Sequence, residues 1–140
     1  MSSLANIQTI DDLSVAIAAI PYATLLGIRV REEAGEPLFY LPFQYHNIGN
    51  TILPALHGGV IGGFLENAAV LHLMWQREGE GIPRVIDFSI DYLRSGRAQE
   101  LYCHCEIVRQ GKRIANVLMT AWQDDRAKPV AQARAHFLLA

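Results

Sequence analysis

The segment from His57 to Trp75 most constrains the fold of this chain, because it is apolar on every side and has four glycines near its start. Its length and its leucine, alanine and methionine content predict a helix. A surface helix carries a single apolar stripe, whereas a helix that is apolar all round is buried. We therefore expect one central helix that the rest of the chain covers.

Short segments with alternating apolar and polar residues predict that the remainder is mostly β-strand. A hairpin with its turn at 34–36 is expected over residues 28–42, after two short helices at 11–19 and 21–26, and residues 44–56 are expected to be a loop. Four later strands are predicted at 86–93, 99–109, 113–123 and 129–139. Because short polar turns separate these four, they are expected to pair in sequence order as an antiparallel meander.

These elements predict an α+β fold in which an antiparallel sheet wraps around one central helix. The 140 residues suit one domain, spanning 1–140. A sheet of this size covers the helix only in part, so a second copy related by a twofold axis is expected to supply the rest of the cover.

Charge and composition exclude several classes of protein. The net charge is −2, which provides no basic field for a nucleic-acid backbone. The start of the chain lacks the basic and apolar stretches of a signal peptide, and Glu66 interrupts the one segment that could be mistaken for a membrane span. Cys103 and Cys105 are expected to be buried thiols on one face of a strand, with His104 on the other. These features predict a soluble, cytoplasmic protein that binds neither nucleic acid nor membrane.

Glu66 is the first candidate for a chemical role. Between Val60 and Trp75 the only polar residues are Glu66, Asn67 and His72. A buried carboxylate without partners costs several kcal/mol or has a raised pKa, and leucine would pack better there. The alternative is an acid at a solvated seam, or one paired with an arginine of a strand. His72 itself is expected to be a satisfied core histidine.

The glycines predict two kinds of close approach. Gly62 and Gly63 lie inside the predicted helix, where each glycine lowers the stability of the helix by about 1 kcal/mol relative to alanine. A helix or a ligand is therefore expected to come near the backbone there. Gly58 and Gly59 lie in the first turn, whose N–H groups have no acceptor within the helix and could bind an anion or a developing oxyanion. The alternative is that these two residues only allow the loop to turn into the helix.

The spacing of His57 and Glu66 bears on where a site could form. Nine residues separate them, which is about 13.5 Å along a helix and roughly opposite sides of it. They cannot contact one atom within one helix, but antiparallel helices across a twofold axis could bring the first turn of one chain to Glu66 of the other. The motifs of serine hydrolases, P-loop proteins and zinc proteases are absent, and the histidines show no metal-binding spacing.

Leu56-His57-Gly58-Gly59 opening an apolar helix, with an acid nine positions after the histidine, resembles the hotdog-fold acyl-CoA thioesterases of the phenylacetate-pathway (PaaI-like) type. The similar 4-hydroxybenzoyl-CoA thioesterases have glutamate at the acid position, as here, whereas other members have aspartate. The order of elements is similar from about residue 22 to residue 140.

This resemblance implies a homodimer, often paired into a tetramer, that hydrolyses acyl- or aroyl-CoA thioesters without a metal or redox cofactor. It implies that the Gly58 N–H binds the thioester oxygen and that Glu66 of the facing subunit is the general base or the nucleophile. His57 would shape the loop and orient groups around the carbonyl. Relatives carry an amide side chain six residues before the histidine, a position held here by Thr51 with Asn50 beside it.

Substrate contacts are expected from Asn50, Thr51, Gly59 and Asn67. The phosphates of CoA need cations, and two basic turns are candidates: Arg94 with Arg97, which we favour, and Arg109 with Lys112 and Arg113. The two turns lie at opposite ends of one strand, about 35 Å apart, so one site in one chain cannot use both.

Two other functions remain open from the sequence. A non-catalytic module could bind acyl-CoA or lipid in the same pocket and signal to a partner. A hotdog dehydratase or hydratase would use His57 with Glu66, although no independent motif supports it.

Overall fold

The computed structural model describes residues 7–76 and 81–139, and in it one long helix packs against an antiparallel sheet of six strands. The helices are α1 (Ile10–Ala19), α2 (Pro21–Leu26) and α3 (Gly58–Gln76). The strands are β1 (Arg29–Glu33), β2 (Glu36–Leu41), β3 (Ile48–Asn50), β4 (Ala55–Leu56), β5 (Arg84–Tyr92), β6 (Leu101–Gln110), β7 (Ile114–Trp122) and β8 (Ala131–Leu138). The predicted α+β architecture is confirmed.

Local sequence signals explain where the early elements begin and end. The Thr9 side chain accepts a hydrogen bond from the Asp12 N–H, and the Asp12 carboxylate accepts one from the Thr9 N–H, which forms a capping box at α1. Gly27 ends α2 with φ at 86°, in the left-handed region that glycine enters without a Cβ clash. Ala34 and Gly35 both have positive φ and make the two-residue turn of the β1–β2 hairpin.

The predicted meander is wrong at β5. The sheet order is β1-β2-β6-β7-β8-β5, so β5 pairs with β8 at one edge, and β2 takes the place beside β6. The segment expected to be a tight turn instead crosses the end of the sheet. The Leu93 N–H donates to the Val130 carbonyl at 2.8 Å, and Arg97 forms a bridge with Ala55.

The burial of each strand follows its place in this order. The inward residues of β6 and β7 are almost fully buried, and these two strands lie in the middle of the sheet. β5 has exposed or partly exposed residues along its whole length and takes an edge, where it covers less of the core. The inward face of β5 is apolar, with Phe88, Ile90 and Tyr92, so its exposure reflects its place at the edge of the sheet.

The core lies between the sheet and α3, and it includes Phe64, Leu65 and Ala68 of the helix. Cys103 and Cys105 are buried and free, with their sulfur atoms 3.8 Å apart, and His104 is exposed on the opposite face, as expected. No helix in the described part of the chain is both long and apolar enough to cross a membrane.

His72 corrects one expectation. It is buried as predicted, but it is not satisfied, because its Nδ1 has no hydrogen-bond partner among the described residues. Burial, with a smaller contribution from the charge of His104, lowers the pKa of His72 from 6.5 to about 4. The ring lies 5.6 Å from that of Trp75 and is held as a neutral group.

Candidate active site at the start of α3

Three separate segments anchor the residue that precedes α3. The β3–β4 hairpin leads directly into His57, whose N–H donates to the Asn47 carbonyl at 3.0 Å. Asn47 is buried, and its side-chain amide donates to the Leu26 carbonyl at the end of α2. The neighbouring Leu56 N–H donates to the Gly96 carbonyl at 2.8 Å. The start of the helix is therefore fixed by contacts from distant parts of the sequence.

His57 caps α3 with its own side chain. Its Nδ1 accepts a hydrogen bond from the Gly59 N–H at 2.9 Å, and its carbonyl accepts one from the Val60 N–H at 3.0 Å. Because Nδ1 is the acceptor here, a neutral imidazole carries its proton on Nε2. The Gly58 N–H has no acceptor among the described residues. Of the two first-turn donors expected from sequence, Gly58 alone is left unused at the positive end of the helix dipole.

Tyr92 holds the Gly58 peptide from the other side, a contact that the sequence reasoning did not anticipate. Its hydroxyl donates to the Gly58 carbonyl at 2.6 Å. Its ring lies 3.4 Å from the position of a Cβ on Gly58, and its hydroxyl lies 3.7 Å from that of a Cβ on Gly62. The signal was present, because the alternation of β5 places Phe88, Ile90 and Tyr92 on the face toward α3. Only the tertiary structure shows which helical residue Tyr92 meets.

Aromatic side chains of this chain also lie close to the backbone at Gly63 and Gly59. A Cβ on Gly63 would lie 2.9 Å from the ring of Tyr22 on α2, and one on Gly59 would lie 3.0 Å from the ring of His57. A Cβ on Gly63 would force the Tyr22 ring to shift, and one on Gly59 would require the His57 ring to move by a few tenths of an ångström. The close approach inferred from the sequence is therefore made by side chains of this chain, and α3 keeps a smooth, partly exposed face beside them.

Glu66 lies on this same partly exposed face, one to two turns beyond Gly59 and Gly62. Its side chain is partly buried and makes no hydrogen bond or ion pair with any described residue. Burial raises the pKa of Glu66 above its usual value of 4.5, because water is removed from around the carboxylate. No pairing with an arginine is seen within the described part of one chain. The next residue, Asn67, uses its amide to donate to the Gly63 carbonyl at 2.8 Å.

The structure does not bring Gly58 and Glu66 together within one chain. Eight residues of continuous helix separate them, which corresponds to about 12 Å along the axis.

Asn50 and Thr51, the candidates for the position at which relatives carry an amide side chain, lie at the tip of the β3–β4 hairpin. The Asn50 side-chain oxygen accepts hydrogen bonds from the N–H groups of Ile52 and Leu53, at 2.9 and 3.1 Å, and so shapes the tip itself. Thr51 is exposed on the same turn.

Arg94 and Arg97 both have partners within the chain. Arg94 donates to the Pro129 carbonyl at 2.8 Å, and Arg97 forms an ion pair with Asp124. The backbone of Arg97 is also held, because the Gln123 amide accepts from its N–H and donates to its carbonyl. Among residues 7–76 and 81–139, no group of three histidine, cysteine or acidic side chains is arranged to hold a metal ion.

Comparisons with known proteins bear on the family and on the fold. The model of the thioesterase superfamily matches residues 53–130, which include β4, α3, β5, β6 and β7. The crystal structure of a protein from Chromobacterium violaceum is 51% identical, with a TM-score of 0.81, and the match covers 100% of this chain and 98% of that one. The crystal structure of a Bacillus halodurans protein with CoA is 24% identical, with a TM-score of 0.74 over 98% of this chain and 88% of that one.

One curated protein also matches. The phosphatidylglycerol–prolipoprotein diacylglyceryl transferase of Azoarcus sp. (strain BH72) is 35% identical over 95 residues, which is 66% of this chain and 33% of that protein. The match thus spans about a third of the length of this relative.

Proposed function

The chain belongs to the thioesterase superfamily, and we propose that it hydrolyses an acyl- or aroyl-CoA thioester to the carboxylic acid and free CoA. One observation carries this proposal. The helix that displays an unused N–H at its first turn also carries a partly buried, unpaired carboxylate on its exposed face. An oxyanion donor and a base are the two groups that thioester hydrolysis needs from a protein.

Gly58 is proposed as the oxyanion donor. Its N–H lies at the positive end of α3, and the peptide that carries it is held because the His57 carbonyl accepts hydrogen bonds from the N–H groups of Val60 and Ile61 at 3.0 and 3.2 Å. The Tyr92 hydroxyl holds the next peptide by donating to the Gly58 carbonyl. A donor of this kind stabilises the negative charge that develops on the thioester oxygen, and it typically raises kcat by about 10²–10³-fold.

Glu66 is proposed as the base or the nucleophile. As a base, its carboxylate takes a proton from water while the water oxygen bonds to the thioester carbon. The tetrahedral intermediate then expels the CoA sulfur, which takes up a proton as the C–S bond breaks. Desolvation strengthens such a base, because the raised pKa moves its basicity toward neutral pH. His57 is proposed to orient groups around the carbonyl through its outward Nε2–H.

Two subunits are proposed to form each site, because Gly58 and Glu66 lie about 12 Å apart on one helix. β5 supports this arrangement, since it is an edge strand of nine residues with no partner on its outer side in the described sheet. Long exposed edges with apolar residues are normally covered, and Ile86 of β5 is 55% exposed. Twofold pairing of two β5 strands would continue the sheet and set the α3 helices side by side. A dimer of dimers remains a further prediction.

Exposed apolar side chains around the start of α3 support the same interface. They lie on α2, on the turn before β3 and on the tip of the β3–β4 hairpin, close to the segments that contact Gly63 and His57. The most exposed are Leu25, Tyr45, Ile52 and Leu53. A second copy of the chain would remove this surface from water.

The first experiment measures thiol release from a panel of acyl- and aroyl-CoA thioesters with two variants at one residue. Gly58→Pro removes the N–H and adds the proline ring, at a first-turn helical position where proline is well tolerated. Gly58→Ala keeps the N–H and controls for the added Cβ. We expect Gly58→Pro to lose about a hundredfold in kcat and Gly58→Ala to lose far less. Equal activity of the two variants would contradict the oxyanion role, and tight CoA binding with no thiol release by the unaltered protein would favour a binding module.

The second experiment tests whether each site is shared. Gly58→Pro and Glu66→Gln chains carrying different tags are refolded together, and the mixed dimer is purified through both tags. If Gly58 and Glu66 come from different chains, one site of the mixed dimer is intact, and about half of the activity per dimer returns. If both groups come from one chain, the mixed dimer has no intact site and stays as inactive as its parents.

A further inference from the structure

The exposed face of α3 carries Glu66 between two aromatic side chains that come from different elements. Tyr92 of β5 lies on one side, with its hydroxyl 3.7 Å from the position of a Cβ on Gly62. Tyr22 of α2 lies on the other side, against Gly63. Glu66 follows these two glycines by four and three residues, and residues at these spacings share one face of a helix. The carboxylate therefore belongs to a patch with a tyrosine at each border.

The two tyrosines differ in what their hydroxyl groups do. The Tyr92 hydroxyl donates to the Gly58 carbonyl. Tyr22 is 47% exposed, and its hydroxyl has no hydrogen-bond partner within the described part of the chain. Its hydroxyl oxygen lies 3.0 Å from the position of a Cβ on Gly63, and one ring carbon lies 2.9 Å from it. A side chain on that residue would displace the phenol, so glycine there lets the Tyr22 hydroxyl lie directly against α3.

Glu66 and Tyr22 are thus two unpaired polar groups about one helical turn apart. The Cβ positions of residues three apart on a helix are about 5–6 Å from each other, and the Tyr22 oxygen lies beside the first of these positions, that of Gly63. No direct hydrogen bond joins the carboxylate to the hydroxyl. Polar groups at such a separation can be bridged by one water molecule that hydrogen-bonds to each at about 2.8 Å.

The other candidates for holding a water molecule use their side chains on the backbone. The Asn50 side-chain oxygen accepts from two N–H groups at the tip of the β3–β4 hairpin. The Asn67 amide donates to the Gly63 carbonyl. A water that gives one hydrogen to a base needs an acceptor for the other, if its lone pairs are to face the thioester carbon. The phenolic oxygen of Tyr22 is such an acceptor, on the same face as Glu66.

We propose that Tyr22 positions the attacking water, with its phenolic oxygen accepting one hydrogen of the water while Glu66 of the same chain takes the other as a proton. The water oxygen bonds to the thioester carbon, and the C–S bond breaks as the CoA sulfur receives the proton that Glu66 took up. The hydrogen held by Tyr22 stays on the new carboxylic acid, so Tyr22 itself transfers no proton. The inference rests on the proposed thioesterase function and deepens it, because it makes Glu66 the base and not the nucleophile.

The experiment compares Tyr22→Phe with Tyr40→Phe by thiol release from the acyl-CoA that the unaltered protein hydrolyses best. Phenylalanine keeps the ring that packs on Gly63 and removes only the hydroxyl. Tyr40 is the matched control, because its hydroxyl also has no described partner and its neighbours Phe39 and Leu41 point into the core, which places Tyr40 on the outer face of the sheet. We expect Tyr22→Phe to lower kcat about tenfold and to change KM less than about twofold, and Tyr40→Phe to change neither.

Two further readouts separate a positioning role from a role in packing. In a chain that already carries Glu66→Gln, adding Tyr22→Phe should lower the residual kcat less than about twofold, because the water then has no base to serve. The second readout is the pH profile of kcat. Burial is the one cause that raises the pKa of Glu66, with no contribution from a charged group of the described chain. A water held by Tyr22 donates a hydrogen bond to the charged carboxylate, so loss of the hydroxyl should move the acid-side apparent pKa further upward.

The outcomes distinguish this inference from the proposed function. An unchanged kcat in Tyr22→Phe, with Glu66→Gln strongly impaired, overturns the role of Tyr22 and leaves the thioesterase function standing. An equal loss from Tyr22→Phe with and without Glu66→Gln, or an acid-side pKa that does not move, also overturns it, because packing alone would produce that pattern. Urea unfolding checks the fold of each variant, and the cycle with Glu66→Gln still decides if Tyr22→Phe is less stable. An unimpaired Glu66→Gln variant, or an unaltered protein that hydrolyses no thioester, would count against the proposed function, and this inference would fall with it.

Discussion

Replacing Glu66 with glutamine should lower activity and raise stability together. Glutamine has nearly the same shape and helix propensity as glutamate. The carboxylate makes no hydrogen bond or ion pair with the described residues, so the substitution breaks no contact within the chain. What it removes is the charge, and with it both the proposed base and the cost of desolvating that charge.

The expected loss of kcat is about 10²–10⁴, the usual contribution of a placed general base. The stability effect has the opposite sign. Because burial raises the pKa of Glu66, the charged form is less favourable in the folded state than in the unfolded state. This destabilisation acts at neutral pH and disappears as the pH falls through the raised pKa. The glutamine variant should recover this cost, which is modest because the side chain is only partly buried and solvent screens its charge.

The assays are thiol release for kcat and KM, urea unfolding at neutral pH, and light scattering to show that the dimer is retained. Glu106→Gln, at an exposed position of β6, is the matched control and should change neither quantity. In the unaltered protein, kcat should fall on the acid side with an apparent pKa above 4.5. A glutamine variant with kcat within about threefold of the original would refute the chemical role. A variant that lost stability would refute the account of burial.

Three further outcomes are expected. Tyr92→Phe should lower kcat more than KM, because it removes the hydrogen bond to the Gly58 carbonyl and loosens the first turn of α3 around the proposed oxyanion donor. A change in KM alone would contradict this. In the unaltered protein, His72 should cost about 3 kcal/mol of stability as the pH falls from 6.5 to 4, because the histidine binds a proton at a higher pH in the unfolded chain than in the folded one. His72→Met should remove this loss. Urea unfolding at neutral and acidic pH measures it, and an unchanged pH dependence of stability would refute the account. Ile86→Lys should shift the protein toward monomer in analytical ultracentrifugation and abolish turnover, because a charge on the edge strand opposes pairing of β5 with the partner's β5. A fully active dimer of this variant would exclude β5 as the interface.

Features that depend on neighbouring residues could be predicted from the sequence. The helix at 58–76, the hairpin with its turn at 34–35 and the later strands follow from apolar periodicity and from glycine at a turn, which are local properties. The isolation of Glu66 among apolar residues was equally visible, as was the glycine-rich first turn. These features were sufficient to indicate the fold and the part of the helix that a site would use.

The pairing of strands and the fate of each polar group were decided only by the tertiary structure. β5 lies beside β8 and β2 lies beside β6, and both pairings join segments that are far apart in the sequence. Gly58 is the unused donor because the His57 ring takes the Gly59 N–H, and Tyr92 holds the Gly58 carbonyl from 34 residues away. Likewise, Arg97 is neutralised by Asp124, 27 residues distant in sequence. A sequence shows which groups are present, but contacts between distant segments determine which of them remain free to react.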